Sequence, residues 1–132
     1  MTDRVLDASA LLLVVLPSAP GDAGLPRQYA DTAWHAPHLI DAECGHVLRR
    51  AVRRGVLSAE EGRAILRVAS AMIDVRYRHD PLRDVAWSLR DQLSYYDALY
   101  VALAVRLDLP LITCDRRLAG APGLPCRVEL AG

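Results

Sequence analysis

A chain of 132 residues, 52% hydrophobic and 24% charged, makes one globular domain with a sizeable core rather than a disordered segment. Its sixteen basic and sixteen acidic residues cancel, so no strongly basic surface marks a nucleic-acid binder, although a neutral total can hide an acidic pocket ringed by cations. All sixteen basic residues are arginine; without lysine, a P-loop nucleotide site and a pyridoxal Schiff base are both excluded.

In chain order, residues 4–6 read as a brief buried strand closed by Asp7. Residues 8–16 read as a helix buried on most sides and stopped by Pro17. This apolar run has no positive segment before it, so export is not expected and the chain is placed in the cytoplasm. No run is long enough to span a membrane. Residues 17–26 hold three prolines and two glycines and form a loop or the entry to a short helix. Residues 33–36 are a weak strand. Pro37 opens the next helix as a first-turn residue, and Gly55 closes it behind a basic last turn.

Ser58-Ala59-Glu60-Glu61 has the spacing of a capping box, and the helix behind it runs to about Met72. Residues 73–77 alternate as a short strand, residues 80–93 and 94–107 are two further helices, and residues 109–113 are the clearest buried strand. A terminal strand covers residues 127–130. Strands alternating with helices predict an α/β fold: a central parallel sheet of about five strands covered by helices on both faces. No linker or repeat divides residues 1–132, which form a single domain. Cys44, Cys114 and Cys126 show no paired spacing and are expected as reduced thiols, the last two within strands.

Four acids stand at the edges of apolar stretches: Asp7, Glu43, Asp97 and Asp115. Each has an unremarkable alternative. Asp7 and Asp115 can cap helices, Asp97 sits in a first helical turn, and Glu43 can be solvated. Taken together, they fall on one predicted edge of a parallel sheet, where strand carboxyl ends and the following helix amino ends meet. Two carboxylates about 4 Å apart repel by roughly 4 kcal/mol at an effective dielectric of 20. Either a proton or a cation must relieve that, and magnesium or manganese suits an all-carboxylate site. Asp7, Asp97 and Asp115 are the expected metal contacts, with Glu43 holding a water or a second ion.

Val5-Leu6-Asp7-Ala8-Ser9, Pro37-x-Leu39-x-x-x-Glu43, Tyr96-Asp97-Ala98-Leu99-Tyr100-Val101-Ala102-Leu103-Ala104 and Leu111-Ile112-Thr113-Cys114-Asp115 together resemble the motifs of PIN-domain ribonucleases, and among them the VapC toxins of bacterial toxin–antitoxin pairs. The resemblance runs from residue 4 to the final strand. It implies a PIN-like domain that cuts RNA with Mg2+ or Mn2+ held by Asp7, Glu43, Asp97 and Asp115. It also implies a cognate antitoxin that blocks the cleft, and a homodimer. Ser9 and Thr113 match its hydroxyl positions beside the site. His46 departs from it, standing where relatives often have Asn.

Arg50 and Arg54 share a helical face with Glu43 and are candidate phosphate contacts; Arg116 and Arg117, beside Asp115, are a second pair. Solvation or pairing with Glu60 and Glu61 is the alternative for the first pair. Tyr95, Tyr96 and Tyr100 are expected in core or dimer packing rather than in base stacking. The histidines show no pairing suited to a metal or to acid–base work. Lysine-dependent receiver domains and dehalogenase-like phosphatases do not fit. The rival reading is a PIN-like module that binds RNA or an antitoxin without cutting.

Overall fold

The computed structural model describes residues 2–16 and 27–131. Five short strands form one wholly parallel sheet: β1 (Thr2–Leu6), β2 (Thr32–Pro37), β3 (Val75–Tyr77), β4 (Leu111–Thr113) and β5 (Val128–Leu130), in the order β3-β2-β1-β4-β5. Between them run α1 (Ala8–Val15), α2 (Leu39–Arg53), α3 (Ala59–Met72), α4 (Arg83–Ser88), α5 (Tyr95–Leu107) and α6 (Arg116–Ala119). The parallel sheet flanked by helices is the expected architecture. Its chain order reverses at β1, with β2 on one side and β4 on the other. An open α/β sheet binds ligands at such a switch point, outside the strand carboxyl ends.

Burial follows the sequence pattern. Val5, Leu6, Leu111 and Ile112 are wholly enclosed, as residues of central parallel strands must be. The middle of α5 is apolar on every side, and all of Ala98 to Ala104 is buried, so it is the central helix of its layer. It packs against β1, β2 and α4, while α1, α2 and α3 pack on one another. The capping box forms as its spacing predicts: the Ser58 hydroxyl accepts the Glu61 N–H and Glu61 accepts the Ser58 N–H.

Several boundaries differ from expectation. Pro37 ends β2 instead of opening a helix. The β1 ladder stops at His35, so Pro37 pairs on one side only, with Tyr77, and its missing N–H breaks no bond to β1. The helix starts at Leu39, whose N–H goes to His79 Nε2. Residues 80–93 are not one helix: a 3₁₀ turn at Asp80–Leu82 leads into α4, which ends at Ser88 with Leu89 turning back onto Ala86. Cys114 and Cys126 lie just outside β4 and β5, half-buried and free. The expected loop at 17–26 lies outside the described residues.

Candidate active site

Asp7 follows the last residue of β1 and Asp115 stands two residues beyond β4, the strand beside it. Glu43 comes from the second turn of α2 and Asp97 from the first turn of α5. All four line one cleft of about 870 Å³. The capping alternatives hold as well: Asp7 Oδ1 accepts the Ala10 N–H, and Asp115 Oδ1 accepts those of Arg117 and Leu118. A strand-to-helix junction lets one carboxylate both cap and face the cleft.

Hydroxyls fix these carboxylates. Ser9 donates to Asp7 Oδ1 and accepts the Cys114 N–H, and Thr113 donates to Asp7 Oδ2 and accepts the Asp115 N–H. The start of α1 is thereby tied to the end of β4. Tyr100, almost fully buried, donates its hydroxyl to Glu43 Oε1. The core placement expected for Tyr100 is met, but its tie to Glu43 was missed. A buried tyrosine hydroxyl seeks a partner, and Tyr100 lies one turn after Asp97 on the same helix. Those two facts were the available signal.

The electrostatics are those of crowded acids. Burial first, then the negative charges of Asp97 and Asp7, hold the Glu43 carboxyl above its ordinary range, against the Tyr100 bond that lowers it. Burial, Asp115 and Asp7 do the same to Asp97, partly offset by Ser94 and Arg117. Even the buried Cys44 thiol is pushed up to about 12, by desolvation and then by Asp41, Glu43 and Asp7. The four carboxylates are the oxygen donors open to a hard cation here. Among the described residues, no three Asp, Glu, His or Cys side chains are already gathered closely enough to hold one ion.

Of the arginine candidates, Arg50 lines the cleft while Arg54, the C-terminal cap of α2, does not. Arg117 reaches to 3.6 Å from Asp115 Oδ2; Arg116 is exposed and has no acidic partner among the described residues. His46 and Tyr96 sit on the rim, and Tyr96 is 61% exposed, so of the core or dimer packing expected of it the core placement is not met. Apolar side chains also line the cleft: Leu12, Leu13 and Leu16 from α1 and its C-terminal cap, and Val47 one turn after Glu43 on α2.

Residues 4–124 match the model of the PIN domain. The chain belongs to the PIN-domain family. Within that family it is of the VapC type: it is 46% identical over 131 residues to Ribonuclease VapC1 of Mycobacterium tuberculosis, spanning 98% of both chains. Ribonuclease VapC9 of the same organism is 37% identical over 126 residues, with 96% of each chain covered. The fold is also that of VapBC2 from Rickettsia felis, solved bound to a DNA fragment from their promoter; the TM-score is 0.70 at 11% identity, covering 99% of this chain and 100% of that one. Asp7, Glu43, Asp97 and Asp115, the four acids expected to form the site, all line the cleft. Among the described residues no helix is long and apolar enough to cross a membrane.

Proposed function

We propose that this PIN domain is a divalent-metal-dependent endoribonuclease, the toxin of a type II toxin–antitoxin pair, acting at the cleft of Asp7, Glu43, Asp97 and Asp115. The observation that carries this reading is the convergence of four carboxylates, from four separate elements, in one cleft. The end-to-end likeness to a protein named a ribonuclease supplies the substrate class.

The residues present suit magnesium or manganese by their chemistry. All four donors are carboxylates, and the two whose acidity is displaced are held up by burial and by their acidic neighbours. No lysine exists in the chain to neutralise them internally. Asp7, Asp97 and Asp115 would hold the ion, with Glu43 beside it. A bound ion supplies a Lewis acid that activates water and offsets charge on the scissile phosphate.

The chain's own groups do the rest. Ser9 and Thr113 take one oxygen each of Asp7, so that carboxylate cannot rotate away from the cleft. Tyr100 does the same for Glu43 from within the core. Arg50 places a guanidinium in the cleft wall, where a substrate phosphate can be met by a bidentate fork. Tyr96 offers an exposed ring at the rim on which an unstacked base can lie.

The antitoxin belongs to the same reading. Leu13, Leu16 and Val47 are exposed beside the acids, a surface that suits a segment pairing apolar side chains with a cation for the carboxylates. The homodimer is retained with it, and sedimentation measures it. The deciding experiment is cleavage of RNA with magnesium, with EDTA, and with Asp7→Asn or Asp97→Asn. Each substitution should cost more than the roughly 100-fold typical of changes behind a metal ligand. Cleavage indifferent to EDTA and to both substitutions would sink the metal-dependent reading. No cleavage by the intact chain would favour the binding module instead.

A further inference from the structure

The arginines divide into two populations. Arg76 grips Asp41 through two bonds, and Arg78, Arg83, Arg117 and Arg127 each reach an acid. Arg4 and Arg90 lie over Tyr29 and Trp87. Among the arginines whose side chains are described, Arg106 and Arg116 lack such a partner, and the others that do are gathered on one pair of helices. They are Arg49, Arg50, Arg53 and Arg54 on α2 and its cap, with Arg63 and Arg67 on α3, all exposed. Arg49, Arg53 and Arg63 rim a single groove of about 350 Å³, floored by Leu48, Val52 and Leu66.

Local helix energetics do not account for this gathering. The α2 cations suit a helix carboxyl end, but Arg63 and Arg67 stand in the interior of α3, short of the last turn where the macrodipole favours positive charge. Arg49 with Arg53, and Arg63 with Arg67, are like charges four residues apart on a helix, a destabilising spacing. The nearest acids along the chain, Glu60 and Glu61, stand at the amino end of α3, where Glu61 is turned to Ser58. The fold therefore concentrates positive charge there without neutralising it.

The groove and the cleft lie on different faces of α2 and share no lining residue, but cations wrap the helix between them. Arg50 lines the cleft and Arg49, its neighbour, lines the groove, so one helix carries cations from one to the other. From Glu43 to Arg53 is about 15 Å along the axis. We infer that the α2–α3 arginine face is a second RNA-backbone site: a single strand leaving the carboxylate cleft lays successive phosphates over Arg49, Arg53, Arg63 and Arg67. This rests on the reading of the cleft as a ribonuclease site. Charge recurring along two helices, with Glu60 and Glu61 only at the amino end of one of them and, among the described residues, in no ion pair with these arginines, fits a polymer charged at every residue better than a protein segment. Arginine forks fit its phosphates.

The test is binding of a fluorescent oligouridylate of about 20 nucleotides, longer than one compact single-strand site, to the full chain carrying Asp97→Asn in EDTA. Salt is varied between about 50 and 200 mM. Arg49→Gln/Arg53→Gln/Arg63→Gln should weaken binding on the order of tenfold, and should flatten the slope of log K against log salt by about 2, at roughly 0.7 per phosphate contact. The corresponding lysine triple should keep most of both. Arg63→Gln/Arg67→Gln, which leaves α2 untouched, should flatten the slope by about 1. With the acids intact and magnesium present, the glutamine triple should raise KM and leave kcat in place. The inference is overturned if the parent does not bind the oligonucleotide, or if folded glutamine variants bind with unaltered affinity and slope, including the case where they lose a co-expressed protein partner instead. If the intact chain cuts RNA and the triple binds normally, only the arginine face fails. If the intact chain cuts nothing while the triple loses binding, the ribonuclease reading fails and the face stands.

Discussion

Thr113 is wholly buried, and its one hydroxyl serves two segments at once, donating to Asp7 Oδ2 and accepting the Asp115 N–H. Valine has nearly the same shape and can make neither bond. A hydrogen bond to a charged group contributes about 1.5–3 kcal/mol, and an abandoned buried donor adds its own penalty. Thr113→Val should therefore lower stability by about 2–3 kcal/mol and slow cleavage, while Thr113→Ser should restore most of both. Urea midpoints at unchanged slope measure the first; a valine variant as stable as the parent would mean that the bridge carries nothing. The hydroxyls of Ser9 and Thr113 were legible as motif positions beside the acids. That both hold the same carboxylate was not, because residues more than a hundred positions apart meet only once the sheet has formed. Asp7 and Asp115 were legible as caps because a cap is local; the Tyr100–Glu43 bond joins two helices, and only the need of a buried hydroxyl for a partner, one turn from Asp97, hinted at it.

At the level of elements, what could be read was what each segment decides for itself. The Ser58 box, the Ala- and Leu-rich α5 and the buried β4 all sit where their patterns put them. Pro37 and the broken stretch after Asp80 did not follow, because strand pairing and tertiary turns overrode the local preference. The close approach of α2 and α3 belongs with these. It depends on Gly62, where an added Cβ would stand 2.9 Å from Val52 Cγ2. Valine is stiff, so it cannot swing aside freely. Gly62→Ala should gain up to about 1 kcal/mol of helix propensity and lose about 1–3 kcal/mol to overpacking, a net loss of roughly 1 kcal/mol. Val52→Ala removes the methyl in the way, so the double variant should be less destabilised than the two singles summed, by about 1 kcal/mol in a thermal or urea double-mutant cycle. Strict additivity would show that the contact does not set the distance between the helices.

For the molecule as a whole, the parallel sheet gathers charge that the polypeptide alone cannot stabilise. Every strand points its carboxyl end to the same edge, so Asp7 and Asp115 arrive together, and α2 and α5 bring Glu43 and Asp97 to meet them. Burial and mutual repulsion hold Glu43 above its ordinary 4.5 and Asp97 above its ordinary 3.8. The metal-free folded state thus keeps protons that the unfolded chain has released. The contribution of these two groups to stability is fully present below those ordinary values and is lost as pH rises through the raised ones. Glu43→Gln removes one of these titrations, and Tyr100 can still donate to the amide oxygen. In EDTA that variant should lose stability less steeply with pH and should be more stable than the parent at neutral pH. A divalent ion acts in the opposite sense, because it binds the ionised carboxylates. Magnesium at about 100 times its Kd should add roughly 2.7 kcal/mol by mass action at neutral pH, and progressively less toward acid as the carboxylates take up protons. Urea midpoints from acid to neutral pH, in EDTA and in magnesium, test both statements together. Magnesium that leaves the parent unchanged at neutral pH, or that stabilises Asp7→Asn/Asp97→Asn equally, would show that the cation is not held by these acids. In that case their crowding would be relieved by protons, or by a partner's cationic side chain, rather than by a metal.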